Sequence, residues 1–459
     1  MAELDGGAAE LAIRGGTLWS GDGAVEADLY VTGGRVLAVG GPPREAARTL
    51  DARGLWVIPG VVDGHVHIPD PDRAEREDFV SGTAAAASNG TTFLLEHHHS
   101  APVLDADALH AKARYLEGRA FVDVGLIGAL HPGNIEQLSG LWDAGTYAFK
   151  LFTCALHGAP AVAGETLERA LTTVAAFDGL VLTHCEDEEI TAVAERELRA
   201  VGARDGAALL AWRTLEAELV AVEAMGAALR RSGARAVIAH ASHPAVVDRL
   251  RAAREAGARL LIESCPHYLW LSDDDVRDRG PWAKCTPPPR PEGARRELWR
   301  RVADREIDLI SADHAPTTVE EKRAGEADIW NCPFGLPGVE TTLSAMLTGV
   351  AQGLVEMSTV VALMCEGPAR AYGLHPRKGA LAPGSDADVV LVDPARERMV
   401  RREDLLTKAG WSAFEGRTLV GAAVQTLVRG VTVWEDGSLP AGPGHGSYVP
   451  RPGSTAELA

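Results

Sequence analysis

The 459-residue sequence predicts an α/β fold: a (β/α)8 barrel of the TIM type, with a small β-sandwich domain built from both chain ends. Three observations predict it. Between about residues 56 and 375, eight short apolar runs alternate with Ala/Leu/Arg/Glu-rich helical stretches, the pattern of parallel strands joined by crossover helices. Both chain ends read instead as short strands broken by glycine. Polar residues with chemical potential fall at the ends of the apolar runs, and a parallel barrel gathers those ends at one face.

Residues 10–54 contain LAIRGG, TLWSGDG, ADLYVTGG and RVLAVGG, which is sheet punctuation rather than helix. The eight runs follow: LWVIPGVVDGHVH, TTFLLE, FVDVGLIG, TYAFKLF, GLVLTH, RAVIAH, ARLLIE and EIDLISAD. Helices between them are expected at 104–117 and 244–256, among others. Eight such units make closure economical, with an open doubly wound sheet as runner-up. No GxGxxG and no GxxxxGK followed by Ser or Thr succeeds any strand, so nucleotide binding has no support. Residues 186–232 read as a helical, amphipathic insertion suited to packing or subunit contact. Sheet style returns after residue 380 in DADVVLVDP and VQTLVRGVTVWEDG. The expected division is 1–56 for the first part of the β-domain, 57–376 for the barrel, and 377–459 for the second part and a tail.

Hydrophobic residues at 46% and charged residues at 24% exclude disordered and collagen-like classes. A formal charge of −19 repels phosphate backbones and anionic lipid, so neither nucleic acid nor a membrane is an expected partner. The opening MAELDGGAAELA lacks a basic leader and a continuous apolar core, and no run of about 18 apolar residues occurs. Six cysteines, at 154, 185, 265, 285, 332 and 365, show no CxxC pairing, as expected of reduced thiols in the cytoplasm.

His65 and His67 end the first run, Lys150 stands in the fourth, and His184, His240 and Asp313 end the fifth, sixth and eighth. A lone histidine at a strand end is more often a hydrogen-bonded structural residue than a ligand. Alternate residues of a strand share a side, however, so His65 and His67 can face one metal together. Lys150, inside AFKLF, would bury its charge at a cost of several kcal/mol unless its chemistry is changed. Coincidence at so many strand ends is improbable.

These segments resemble the cyclic-amide branch of the amidohydrolase superfamily: dihydroorotases, allantoinases and hydantoinases or dihydropyrimidinases. The similarity is carried in order by IPGVVDGHVH, EDFVSGTAAAASNGTTFL, AFKLF, THCED, IAHAS, ESCPHYL, KCTPPPR, SADHAPTTVEEK, FGLPGVET and KGALAPGSDADVVLVDP. The resemblance implies two divalent ions, usually zinc. His65, His67 and Asp313 would hold the more buried one, His184 and His240 the second, and Lys150 would bridge them after carboxylation by carbon dioxide. It further implies a hydroxide nucleophile between the metals, Asp313 as general base, a cyclic amide or ureide substrate, and a homo-oligomer, dimer or tetramer. Candidate substrate contacts are His98, His267, Thr286 and Gly335. A linear amide substrate, or the reverse ring-closing reaction, is the alternative; a non-catalytic scaffold is disfavoured because all six candidate ligands are present.

The chain departs from each subfamily. Ile68 stands where dihydroorotases carry a carboxylate-binding arginine after HxH, with Arg73 following later. EHHHSAP replaces the MPNT-like segment, placing His98 at a substrate-binding asparagine position, and Thr317 follows DHAP where a histidine is usual. Ala155 stands where hydantoinases place an oxyanion-stabilising tyrosine, and HVHIPDPD lacks the acidic residue and glycine usual in allantoinases. The Glu96–His99 cluster could bind an anionic substrate group, relay protons or hold an additional metal; the alternative is a solvated loop with one histidine packed beneath it.

Overall fold

Gly60 divides the first apolar run into two strands that belong to different sheets, where the sequence suggested one. Trp56–Pro59 pairs antiparallel with Val389–Met399, whereas Val61–Val66 pairs parallel with Thr91–Glu96. A Cβ at Gly60 would stand 2.0 Å from Thr92 Oγ1, so the crossing between sheets requires a residue without a side chain. The structure is a computed structural model and describes residues 8–455; the first seven residues of the acidic opening stretch lie outside the described residues.

The central segment is an α/β unit of parallel strands. Val61–Val66, Thr91–Glu96 and Asp123–Leu126 form one parallel sheet. Gly128–Ala129, Phe149–Phe152, Leu180–His184, Arg235–Ile238, Arg259–Ser264 and Leu309–Ile310 form another. The third run supplies a strand to each sheet, and Tyr147 N donates to Leu126 O at 3.0 Å across the join. A parallel bridge between Val66 and His314 connects the first strand to the segment after the last. Alternate strand residues enter different apolar clusters. Phe93, Leu95, Leu182 and Val237 pack among the strands, while Leu94, Val181 and Ile238 pack toward the helices.

Side-chain caps set several helix starts. Asp78 and Ser81 form a capping box at Phe79–Ser88, Asp105 caps Ala106–Leu116, and His243 with Pro244 opens Pro244–Glu255. The insertion consists of Glu188–Ala200, Gly206–Trp212 and Leu215–Ser232, capped by Asp187, Asp205 and Thr214. No helix among the described residues is long and apolar enough to cross a membrane.

The chain ends meet in a mixed sheet ordered Val431–Glu435, Thr418–Val428, Val389–Met399, Trp56–Pro59, Thr17–Ser20 and Gly23–Glu26. A four-stranded sheet of Arg35–Val39, Leu29–Thr32, Ala9–Arg14 and Ala46–Asp51 shares an apolar cluster with it, including Leu11, Val31, Val57 and Leu391. Buried Lys378 ties these layers to the parallel core. Its Nζ lies 2.8 Å from Asp123, 2.7 Å from Asp388 and 3.1 Å from Asp386. The final segment returns to the core, where Tyr448 bridges Val124.

Candidate metal centre

Parallel strands point their carboxyl ends one way, and six chemically active side chains meet there around a small cavity of about 30 Å³. His65, His67, Lys150, His184, His240 and Asp313 all line it, together with Phe152, His157, Thr286, Phe334 and Gly335. His65 and His67 leave the first strand on the same side, as their spacing of two requires. His240 and Asp313 lie just beyond their strands with φ of 43° and 45°, left-handed conformations uncommon for residues other than glycine. Neighbouring bonds hold them so. Ala239 N donates to Thr183 O at 3.0 Å and Ala241 N to Glu263 O at 2.7 Å, while Ala312 N donates to Asp63 Oδ1 at 3.2 Å.

Three of the four histidines, His65, His67 and His184, have the far nitrogen occupied, which turns the near one toward the cavity, whereas His240 Nδ1 is buried without a partner. His65 Nδ1 meets Glu263 Oε1 at 2.7 Å and His67 Nδ1 meets the His97 carbonyl at 2.7 Å. His184 Nε2 meets Glu186 Oε2 at 2.8 Å, leaving Nδ1 3.0 Å from His240 Nε2. This is the outer-shell arrangement that fixes a ligating imidazole's tautomer. Lys150 Nζ lies 3.2 Å from His65 Nε2; Asp313 Oδ1 lies 3.2 Å from His65 Nε2 and 3.5 Å from His67 Nε2. Arg213 and Thr286 Oγ1, the latter at 2.6 Å, complete the partners of Glu186 Oε2.

The electrostatics fit a cation. Burial lowers the imidazole pKa of His65, His67, His184 and His240, so their lone pairs are free near neutral pH. Burial also pushes Lys150 down to about 8. Buried Glu263 and Asp63 are pushed up to about 8 and about 7, mainly by loss of solvent, which marks a site short of positive charge. Burial raises Asp313 too, but the His67 bond and the His240 imidazole outweigh it and hold the carboxyl well below the ordinary value. His65, His67 and His97 each bring a ring nitrogen within 4.8 Å of the others, close enough to share an ion. Cys154, His184 and Glu186 form a second such group, although burial pushes the Cys154 thiol up to about 12.

The remaining candidates divide. Thr286 and Gly335 line the cavity, and a Cβ at Gly335, with φ of 129°, would meet Ala315 O at 2.3 Å. His98 and His267 are buried but lie outside that lining: His98 Nδ1 faces Ser100 Oγ at 2.7 Å, and His267 lines a neighbouring cavity. Glu96, His97 and His98 are all buried, with Glu96 paired to Lys112 at 2.5 Å, so the cluster is not a solvated loop. Arg73 is held by Glu75 and Glu321 at 2.5 and 3.0 Å and does not line the cavity. Sequence reasoning missed the roles of Glu263, Glu186 and His157. Glu263 was findable, since it ends the seventh run as the other site residues end theirs.

The chain belongs to the amidohydrolase family. Two amidohydrolase family models match it, over residues 56–205 and 337–434. An allantoinase of Rubrobacter xylanophilus is 36% identical over 447 residues, covering 95% of this chain and 96% of that protein. A dihydroorotase of Halobacterium salinarum is 36% identical over 423 residues, covering 92% and 96%. The structure of an L-hydantoinase (dihydropyrimidinase) from Arthrobacter aurescens matches with a TM-score of 0.94 at 33% identity, over 96% of this chain and 100% of that one.

Proposed function

We propose that this chain hydrolyses the carbon–nitrogen amide bond of a cyclic amide or ureide at a two-metal site. The observation that carries the reading is the convergence of His65, His67, Lys150, His184, His240 and Asp313 on one cavity at the strand ends. His65, His67 and Asp313 would hold one ion and His184 and His240 the other, with Lys150 contributing to both. Zinc suits these imidazole and carboxylate donors. Bound there, divalent ions supply Lewis acidity toward a carbonyl oxygen and lower the pKa of water to near neutrality.

The chain's own groups do the rest. A Lys150 amine pushed down to about 8 has a substantial neutral fraction near neutral pH. Its Nζ lone pair bonds to the carbon of carbon dioxide and releases one proton, converting an amine into an anionic bidentate carbamate. Glu263 and Glu186 orient His65 and His184 through their far nitrogens. Asp313, held ionised, accepts the proton of the attacking water and delivers it to the leaving nitrogen. Thr286 and Gly335 are the substrate contacts the cavity supports, while His98 and His267 stand outside its lining.

The parallel strands are read as a closed (β/α)8 barrel over 57–376. Both chain ends, 1–56 and 377–459, supply a β-sandwich domain and a tail. The Val66–His314 bridge and the shared sheet of the chain ends support that division, with Trp56–Pro59 straddling its first boundary. The assembly is read as a homo-oligomer, dimer or tetramer, which sedimentation analysis of the purified chain tests. Six free, buried cysteines support a reducing compartment such as the cytoplasm. A panel of cyclic ureides, imides and lactams assayed with the zinc-loaded protein tests the activity. Absence of turnover on every ring by a protein carrying two ions per chain overturns it.

A further inference from the structure

His97 has no part in the arrangement above, yet its imidazole packs against both histidines of the first parallel strand. The ring centroids lie 4.9 Å from His65 and 4.3 Å from His67. One ring nitrogen of each of the three residues lies within 4.8 Å of the others. His97 is 4% exposed, and its Nε2 is buried without a hydrogen-bond partner. Buried polar groups are ordinarily paired, so an orphan nitrogen on a ring packed against two ligand histidines points to a partner that is not protein.

The backbone explains how the ring arrives there. His97 N donates to Val66 O at 3.0 Å, and the His97 carbonyl accepts from His67 Nδ1 at 2.7 Å. The peptide that orients His67 therefore also fixes the Cα from which the His97 imidazole projects. With Nδ1 of His65 and His67 both occupied, Nε2 is the free ligand atom of each. His98 and His99 do not join this group. His99 stacks face to face between His98 and His157, with centroids at 4.5 and 4.3 Å, and His98 Nδ1 is taken by Ser100.

We infer that His97 is a third imidazole ligand of the ion held by His65 and His67, and that this ion binds without carboxylated Lys150. The inference rests on reading His65 and His67 as metal ligands. Together with Asp313, three imidazoles would give the ion four protein donors, the usual number for zinc, and imidazoles favour zinc, nickel or copper over magnesium or calcium. Loading is then stepwise. The first ion would bind on the three imidazoles and Asp313 irrespective of carbon dioxide, and the second would wait for the Lys150 carbamate.

The test compares wild type, His97→Ala, Lys150→Ala and the double variant, each equilibrated with zinc and measured for bound metal, with cobalt(II) absorption spectra in parallel. Alanine at 97 keeps the carbonyl that holds His67, so only the imidazole is removed. Two ions per chain are expected in wild type, one in Lys150→Ala, and one more weakly held in the double variant, which keeps His65, His67 and Asp313. The affinity lost between those last two should be at least the roughly 10- to 100-fold that removal of an outer-shell partner costs. If alanine impairs folding, His97→Phe fills the space without a donor and serves the same comparison. Equal zinc affinity and identical cobalt spectra in Lys150→Ala and the double variant overturn the inference. A wild-type chain that binds no zinc overturns instead the reading of the site on which it rests.

Discussion

Replacing Asp313 with asparagine separates proton transfer from the rest of the site. The residue sits at φ 45°, a conformation asparagine tolerates better than most side chains, so the backbone should hold. Ala312 N, bonded to Asp63 Oδ1 at 3.2 Å, and Ala315 N, bonded to Leu336 O at 2.9 Å, pin the chain on either side. An amide oxygen can still occupy the place of Oδ1, 3.2 Å from His65 Nε2. What disappears is a carboxylate held ionised well below its ordinary range, the one group on the cavity wall fitted to take a proton from water and return it to nitrogen. Positioned general acid–base catalysis contributes about 10²- to 10⁴-fold. At roughly 1.36 kcal/mol per tenfold, that is about 2.7 to 5.5 kcal/mol of transition-state stabilisation. The assay is kcat for ring opening of a cyclic ureide, with bound metal quantified in the same preparation. A fall in kcat at full metal occupancy is expected; near wild-type kcat at full occupancy refutes the assignment of Asp313 as the base.

Four further outcomes follow from particular contacts. Dihydroorotate should be a poor substrate, because buried Ile68 replaces the arginine and Arg73 is engaged by Glu75 and Glu321. A missing charge-assisted bond costs roughly 1.5 to 3 kcal/mol, so a kcat/KM at or above about 10⁵ M⁻¹s⁻¹ on dihydroorotate contradicts this. Glu186→Ala removes the acceptor of His184 Nε2 and should weaken metal binding about 10- to 100-fold, read by competition with a chelator. The metal-free protein should lose stability in acid. Burial depresses His65, His67, His184 and His240 below 6.5, so the unfolded chain binds more protons than the folded one between the depressed values and 6.5. The stabilisation is complete above 6.5 and is lost as pH falls below it, by up to about 1.4 kcal/mol per pH unit per ring. Denaturation midpoints that do not move across 6.5 argue against it. Lys378→Met strands buried Asp123, Asp386 and Asp388 and should cost about 3 to 5 kcal/mol by denaturant titration; a smaller cost means the network is not an obligatory tie.

Much of the site is legible in the sequence because apolar runs ending in His184, His240 or Asp313 break the rule that a buried strand stays apolar. The same rule reaches Glu263, whose role was overlooked because a carboxylate at a strand end looks like an ordinary surface residue until its partner, His65, is known. The split at Gly60 was not legible. It depends on the approach of Thr92, a residue 32 positions away, and hydrophobic periodicity carries no such information. Likewise, EHHHSAP reads as polar and exposed in one dimension. Its first three residues, Glu96, His97 and His98, are buried and Ser100 is exposed, while His67, His157 and Phe152 pack around half-buried His99.

The central claim, that two ions on these six side chains open a cyclic amide, is tested most directly by metal titration of the chelated protein against a panel containing hydantoins, allantoin and dihydroorotate. The account predicts no turnover without metal, and ring opening of at least one panel member that rises with zinc and saturates at two ions per chain. Ring opening that persists in the fully chelated protein, or full activity at one ion per chain, would contradict it.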